Sequence, residues 1–165
     1  MQSYKQKIIG IVLNIKNKLN IAALKRELIE FFKILETDDK LYLLNPSGLS
    51  FEKRGKAVSC LSQYNFHDNL PMHLLLRDAI AALNVEPFDA SKIICVISDC
   101  DFDKYQVEKM LGLAHRSGIK IVGYEMNEEF GRICPSAQSL ENFDKMSEIL
   151  FAFYTSKEIN EQQSN

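Results

Sequence analysis

The strongest constraint on this chain is a change of hydrophobic rhythm that repeats along it. Ile8 to Leu13, Leu41 to Leu44, Lys92 to Ser98 and Ile119 to Tyr124 are short apolar runs rich in β-branched residues. Runs of this kind fit strands buried on both faces. Between them the spacing changes to three and four. Ile21, Leu24, Leu28, Phe31, Phe32 and Leu35 mark one helix, and Leu76, Ala79, Ile80 and Leu83 a second. Val107, Met110, Leu111 and Ala114 mark a third, and Phe143, Met146, Ile149, Leu150 and Phe153 a last one. Strands alternating with helices predict an α/β protein, a doubly wound, mostly parallel sheet with helices on both faces. A chain of 165 residues suits one such Rossmann-like domain, expected over 1–155 and followed by a polar, frayed tail over 156–165.

Local signals place the boundaries. Asn20 is expected to cap the first helix, and Thr37-Asp38-Asp39 to break it. Asn45-Pro46-Ser47-Gly48 ends the second strand. Pro71 stands near the start of the second helix, and Asp103 followed by Gln106 reads as a capping box. Gly118 ends the third helix. The segment from Leu49 to Asn69 is less regular, with Ala57 to Leu61 expected as a short edge strand. Arg132 to Ala137 is expected to add another.

A net charge of −2 gives no general pull toward nucleic acid or anionic membrane. Lys53, Arg54 and Lys56 form a basic cluster too short to change that. No apolar run approaches the roughly 20 residues needed to span a bilayer. The N-terminus lacks a small-residue cleavage site and reads as a strand rather than a leader. Cys60, Cys95, Cys100 and Cys134 form no C-x-x-C pair, which argues against zinc and suggests reduced thiols in a cytoplasmic protein. There is no Walker A loop and no G-x-G-x-x-G. Ser62 and Ser98 have no evident histidine partner. His67 and His73 are spaced wrongly for a helical metal face, and His115 suits a helix C-terminus. Tyr42, Tyr64 and Tyr124 read as packing or interface residues.

Ligands of open parallel sheets sit at the carboxyl ends of the strands. Two such ends carry polar residues here: Asn14 to Lys18 after the first strand, and Ser98 to Asp103 after the third long one. If those strands are neighbours, both loops face one crevice. The second loop holds Asp99, Asp101 and Asp103 at every second position. One reading gives Asp99 to the strand end, Asp101 to the loop and Asp103 to the helix cap. A calcium loop is excluded, since its sixth position would be Lys104 rather than Gly and its twelfth Met110 rather than Glu. A third reading is catalytic.

The layout resembles a von Willebrand factor A-like (vWA) domain from about Lys7 to Tyr154. IIGIVLNIKNKLNIAALKRELIEFFKILETDDKLYLL looks like that family's first strand, first helix and second strand. KIICVISD looks like its fourth strand, IKIVGYEM its fifth and SLENFDKMSEIL its last helix. The resemblance implies a metal-ion-dependent adhesion motif, in which a first-loop D-x-S-x-S, a later Thr and an Asp after the fourth strand hold Mg²⁺. The aspartate position is Asn14 here, and the hydroxyl positions are Lys16 and Lys18. The threonine falls near Pro71 or Met72, and Asp99 alone matches. An ammonium cannot coordinate a cation. The motif is therefore expected to be degenerate and to hold no metal. In its place, Lys16 or Lys18 is set to pair with Asp99, or else both point into water.

The stretch VISDCDFD also looks like the S-G-D-S-D-F stretch of NYN (PIN-like) nucleases. That alternative implies metal-dependent ribonuclease chemistry by Asp99, Asp101 and Asp78. Its first-strand aspartate is again Asn14. A haloacid-dehalogenase-like D-x-D would come too late in the chain. The expectation is therefore a non-enzymatic module with no cofactor. It would bind another protein, with an acidic surface, through Asn14, Lys16, Asn17 and Lys18 on one side and Asp99, Cys100 and Asp101 on the other.

Overall fold

The computed structural model describes residues 5–36, 38–45, 48–52 and 70–156. Its elements in order are β1 (Lys7–Asn14), α1 (Lys18–Lys33), β2 (Lys40–Asn45), β3 (Gly48–Glu52), α2 (Met72–Asn84), β4 (Ser91–Ser98), α3 (Lys104–Arg116), β5 (Lys120–Glu125), a 3₁₀ turn (Phe130–Arg132), β6 (Ala137–Ser139) and α4 (Met146–Tyr154). They form one sheet in the order β3-β2-β1-β4-β5-β6. Every pairing is parallel except that of β2 with β3. The fold is the expected doubly wound, mostly parallel α/β domain.

Side chains of a strand alternate between faces, and the two cores follow that alternation. On one face Ile9, Ile11, Ile93 and Cys95 pack with Leu24, Leu28 and Phe32 of α1 and Met146 and Leu150 of α4. On the other, Ile8, Val12, Ile94 and Val96 pack with Leu76, Ala79 and Leu83 of α2 and Val107 and Ala114 of α3. Both faces are covered, so β1 is buried at all eight positions and reads as an apolar run from Ile8 to Leu13. Each fully buried side chain of this size contributes about 1.5–3 kcal/mol of transfer free energy.

Helix α2 begins after Pro71, α3 is capped by Asp103 through Gln106 N, and Gly118 takes a φ of 72° after α3. A positive φ there is easy for glycine and strained for other residues. Two expectations need correction. The cap of α1 is Asn17, whose side chain accepts from Leu19 N, not Asn20. The second strand does end at Asn45, and the sequence did not show that Gly48–Glu52 forms β3, which runs antiparallel to β2. The strand expected at Arg132 to Ala137 is a 3₁₀ turn followed by β6. There the buried carboxylate of Glu125 captures the N–H groups of Phe130 (2.8 Å) and Gly131 (2.6 Å), which winds the chain before it can extend. Ala57 to Leu61, the basic cluster, Cys60, Ser62, Tyr64, His67 and the tail beyond Ser156 lie outside the described residues.

Candidate functional site

β1 and β4 are neighbours, with Asn14 opposite Ser98. The two expected loops therefore meet at the carboxyl ends of the central strands. Asn14 is buried, and its Nδ2 donates to Ser98 Oγ (3.0 Å) and the Cys100 carbonyl (3.2 Å). Ser98 Oγ donates to the same carbonyl (3.1 Å). Asp99 N and Cys100 Sγ both donate back to the Asn14 carbonyl, at 3.1 and 3.3 Å. The hydrogen bonds of Asn14 and Cys100 stitch the ends of the two strands together.

The Asp99 carboxylate is turned the same way. Oδ1 accepts from Lys16 N (2.8 Å), and Oδ2 accepts from Asn17 N (3.0 Å) and Asn20 Nδ2 (2.9 Å). The helix dipole and the free N–H groups of a helix start favour a carboxylate there. Asn20 Nδ2 also approaches Met126 Sδ at 3.1 Å, and Met126 N donates to the Ser98 carbonyl. Three loops are thus tied together. Lys16 and Lys18 are exposed, and among the described residues neither ammonium pairs with a carboxylate. Asp99 is held by main-chain and amide N–H groups instead, because these sit closer to the strand end than the end of a lysine stem. Of the two alternatives for these lysines, the one with both pointing into water is the one observed.

Asp101 is exposed and Asp103 caps α3. Asp78 lies on α2, where Arg77 reaches its carboxylate at 3.2 Å. Among the described residues no three His, Cys, Asp or Glu side chains are grouped to hold a metal ion, so Asp78, Asp99 and Asp101 do not assemble a nuclease centre. The adhesion-type site fits a divalent ion no better. Lys16 and Lys18 have no lone pair to give, and Asp99 is filled by three donors. The Cys100 thiol is pushed up to about 11, first by burial and then by the Asp99 charge, so it is protonated and a poor nucleophile. His115 occupies the last turn of α3, and His73 the first turn of α2. Tyr42 and Tyr124 are buried packing residues.

Sequence reading missed the roles of four residues here. Asn20 is the hub of the loops, not a cap. Leu19 is 80% exposed beside the lysines, and Met126 is 36% exposed above Asn20. Glu125, at the end of β5, carried the one available signal: an acid closing an apolar strand, as Asp99 follows β4.

No family model matches the chain, and no curated protein matches it in sequence. Solved structures do match. The pilus adhesin SpaC of Lactobacillus rhamnosus GG superposes with a TM-score of 0.71 at 13% identity, over 96% of this chain. At this identity the likeness is one of fold. This chain spans 31% of that adhesin. Manganese-loaded TRAP of Plasmodium vivax gives 0.64 at 12% identity, over 88% of this chain and 72% of that one. An aerotolerance-related membrane protein of Bacteroides fragilis gives 0.62 at 12% identity, over 96% and 100%. These similarities overturn the expected cytoplasmic location, since the matched proteins are a pilus adhesin and a membrane protein. The thiols were a poor guide. Cys95 and Cys134 are free but buried, and burial protects a thiol in any compartment. No helix among the described residues is long and apolar enough to cross a membrane.

Proposed function

We propose that this domain is a non-enzymatic protein-binding module that meets its partner with the loops at the carboxyl ends of β1, β4 and β5. The family's metal motif is degenerate in it, and the partner is bound without an ion. One observation carries the reading. Asp99 is turned inward onto Lys16 N, Asn17 N and Asn20, which leaves the exposed ammonium groups of Lys16 and Lys18 as the outward charge of the β1–α1 loop. Asn17 and Asp101 complete the rim, and Asn14, Asp99 and Cys100 support it from beneath. Lysines on a rim favour an acidic partner surface and a contact that weakens with salt.

Two experiments test it. Crosslinked capture with the wild type and with a Lys16→Glu, Lys18→Glu double variant should yield a bound protein that the variant loses. An identical captured set would remove the loop from the interface. A thermal melt with excess Mg²⁺, Mn²⁺ or Ca²⁺ against a chelator should leave the midpoint unmoved. A ligand at 100 times its dissociation constant would add about 2.7 kcal/mol, so a rise abolished by Asp99→Asn would reinstate a metal site.

A further inference from the structure

Lys16 N and Asn17 N stand immediately before α1, where main-chain N–H groups have no acceptor within the helix. Asn17 spends its own side chain on Leu19 N, and its carbonyl accepts from Ile21 N. The acceptors for the two preceding N–H groups come from 82 and 83 residues further along the chain: Asp99 gives Oδ1 to Lys16 N and Oδ2 to Asn17 N. Asn20 then steadies Oδ2 and reaches Met126 in a third loop. A carboxylate suits this place because it presents two equivalent acceptors and a negative charge to a helix start. An amide presents one acceptor and would turn its NH₂ toward the other N–H. Asp101, two residues on, is exposed.

We propose that Asp99 is the positioning residue of the binding surface: its carboxylate is a built-in anion that holds the β1–α1 loop in the conformation presenting Lys16 and Lys18. The assignment rests on reading these loops as the binding surface, but its test needs no partner. A latch of this kind depends on an anion of the right shape in the right place, not on the residue that carries it. A side chain that merely fills space would not be replaceable by a free ion.

The test is amide hydrogen exchange on the full chain for the wild type, Asp99→Gly, Asp99→Asn and Asp101→Asn. Asp99→Gly should lower protection of the Lys16 and Asn17 amides by at least about tenfold, the scale of hydrogen bonds to a charged acceptor, while Ile11 and Val96 in the central strands keep theirs. Sodium formate at about 0.3 M should restore protection at Lys16 and Asn17, and sodium chloride at the same concentration, which only screens charge, should not. Asp99→Asn should fall between the two, and Asp101→Asn should match the wild type. The proposal is overturned if Lys16 and Asn17 stay protected in Asp99→Gly, if chloride restores as well as formate, or if Asp101→Asn loosens them equally. If the glycine variant does not fold, Asp99→Asn decides. Loss confined to Lys16, Asn17 and the Asn20 side-chain amide supports the latch, and uniform loss across the sheet overturns it. Capture by the lysine charge reversal is read separately, so a failed latch and a misplaced binding surface are told apart.

Discussion

Asp99, just beyond β4, and Glu125, at the end of β5, are neighbours at the carboxyl end of the sheet, and Ser98 and Glu125 are paired across the ladder. Each carboxylate takes two main-chain N–H groups from another segment, Asp99 from Lys16 and Asn17, Glu125 from Phe130 and Gly131. Their surroundings differ. Glu125 is 2% exposed and works beneath a fully buried Phe130. Asp99 is half-buried, and the loop it holds faces water. The same chemistry therefore does two jobs. Where water is excluded, a lost acceptor leaves N–H groups with nothing to replace it, and the fold itself is at stake. Where water is near, solvent takes over, and only the shape of the loop is at stake.

Breaking the buried clamp should have the largest effect. Glu125→Ala is expected to lower unfolding free energy by about 2.5 kcal/mol, chiefly by stranding the buried Phe130 N–H, measured by chemical denaturation. A loss no greater than that of Asp99→Asn would erase the contrast. Gly123→Ala attacks the same region from the packing side, since a Cβ there would stand 2.4 Å from the ring carbons of Phe130. It should cost about 2 kcal/mol as overpacking. Asp99→Asn should cost about 1 kcal/mol, that of one ordinary hydrogen bond. Glu86 sharpens the contrast with side-chain donors in place of main-chain ones. It accepts from Tyr42 (2.6 Å) and Lys40 (2.9 Å). Burial opposes its charge, yet these two partners hold its carboxyl below the usual range, while burial and then Glu86 push Tyr42 up to about 12. A depressed carboxyl contributes stability above its unfolded value, and that contribution fades as pH falls through the folded one. Glu86→Gln should thus destabilise by about 1 kcal/mol or less at neutral pH and converge on the wild type below about pH 4. A gap that persists in acid would assign the loss to packing. Replacing Lys16 and Lys18 by Ser should move stability by less than about 0.5 kcal/mol, as exposed substitutions do.

These differences also mark what the sequence could reveal. The continuous apolar runs at Ile8 and Lys92 and the helical spacing at Leu24 and Leu76 report burial directly, so the alternation of elements and the covering of both sheet faces could be inferred, whereas the strand order could not. The crevice between Asn14 and Asp99 followed from the rule that ligands sit at strand ends. What the side chains do inside it did not follow. Asn17 and Asn20 are equally good caps on composition, and only the position of Asp99 decides that one caps while the other bridges. The antiparallel β3 escaped because Leu49 to Glu52 is too short to show a period. Glu125 showed only as an acid closing an apolar strand, and its role stayed hidden because its partners are main-chain N–H groups, which every residue but proline carries.

The stitch between Asn14 and Ser98 joins positions 84 apart in sequence. A ribosome releases the chain from its amino end, so the first loop emerges long before the residue that fastens it. Until Asp99 has followed, β1 has one of its two sheet neighbours at most, and the N–H groups of Lys16 and Asn17 are served by water. Contacts this distant form late, because closing a long loop precedes any gain from it. The surface assigned to partner binding is therefore among the last parts of this domain to take shape during synthesis, and a chain interrupted before β4 would present those lysines on an unfastened loop.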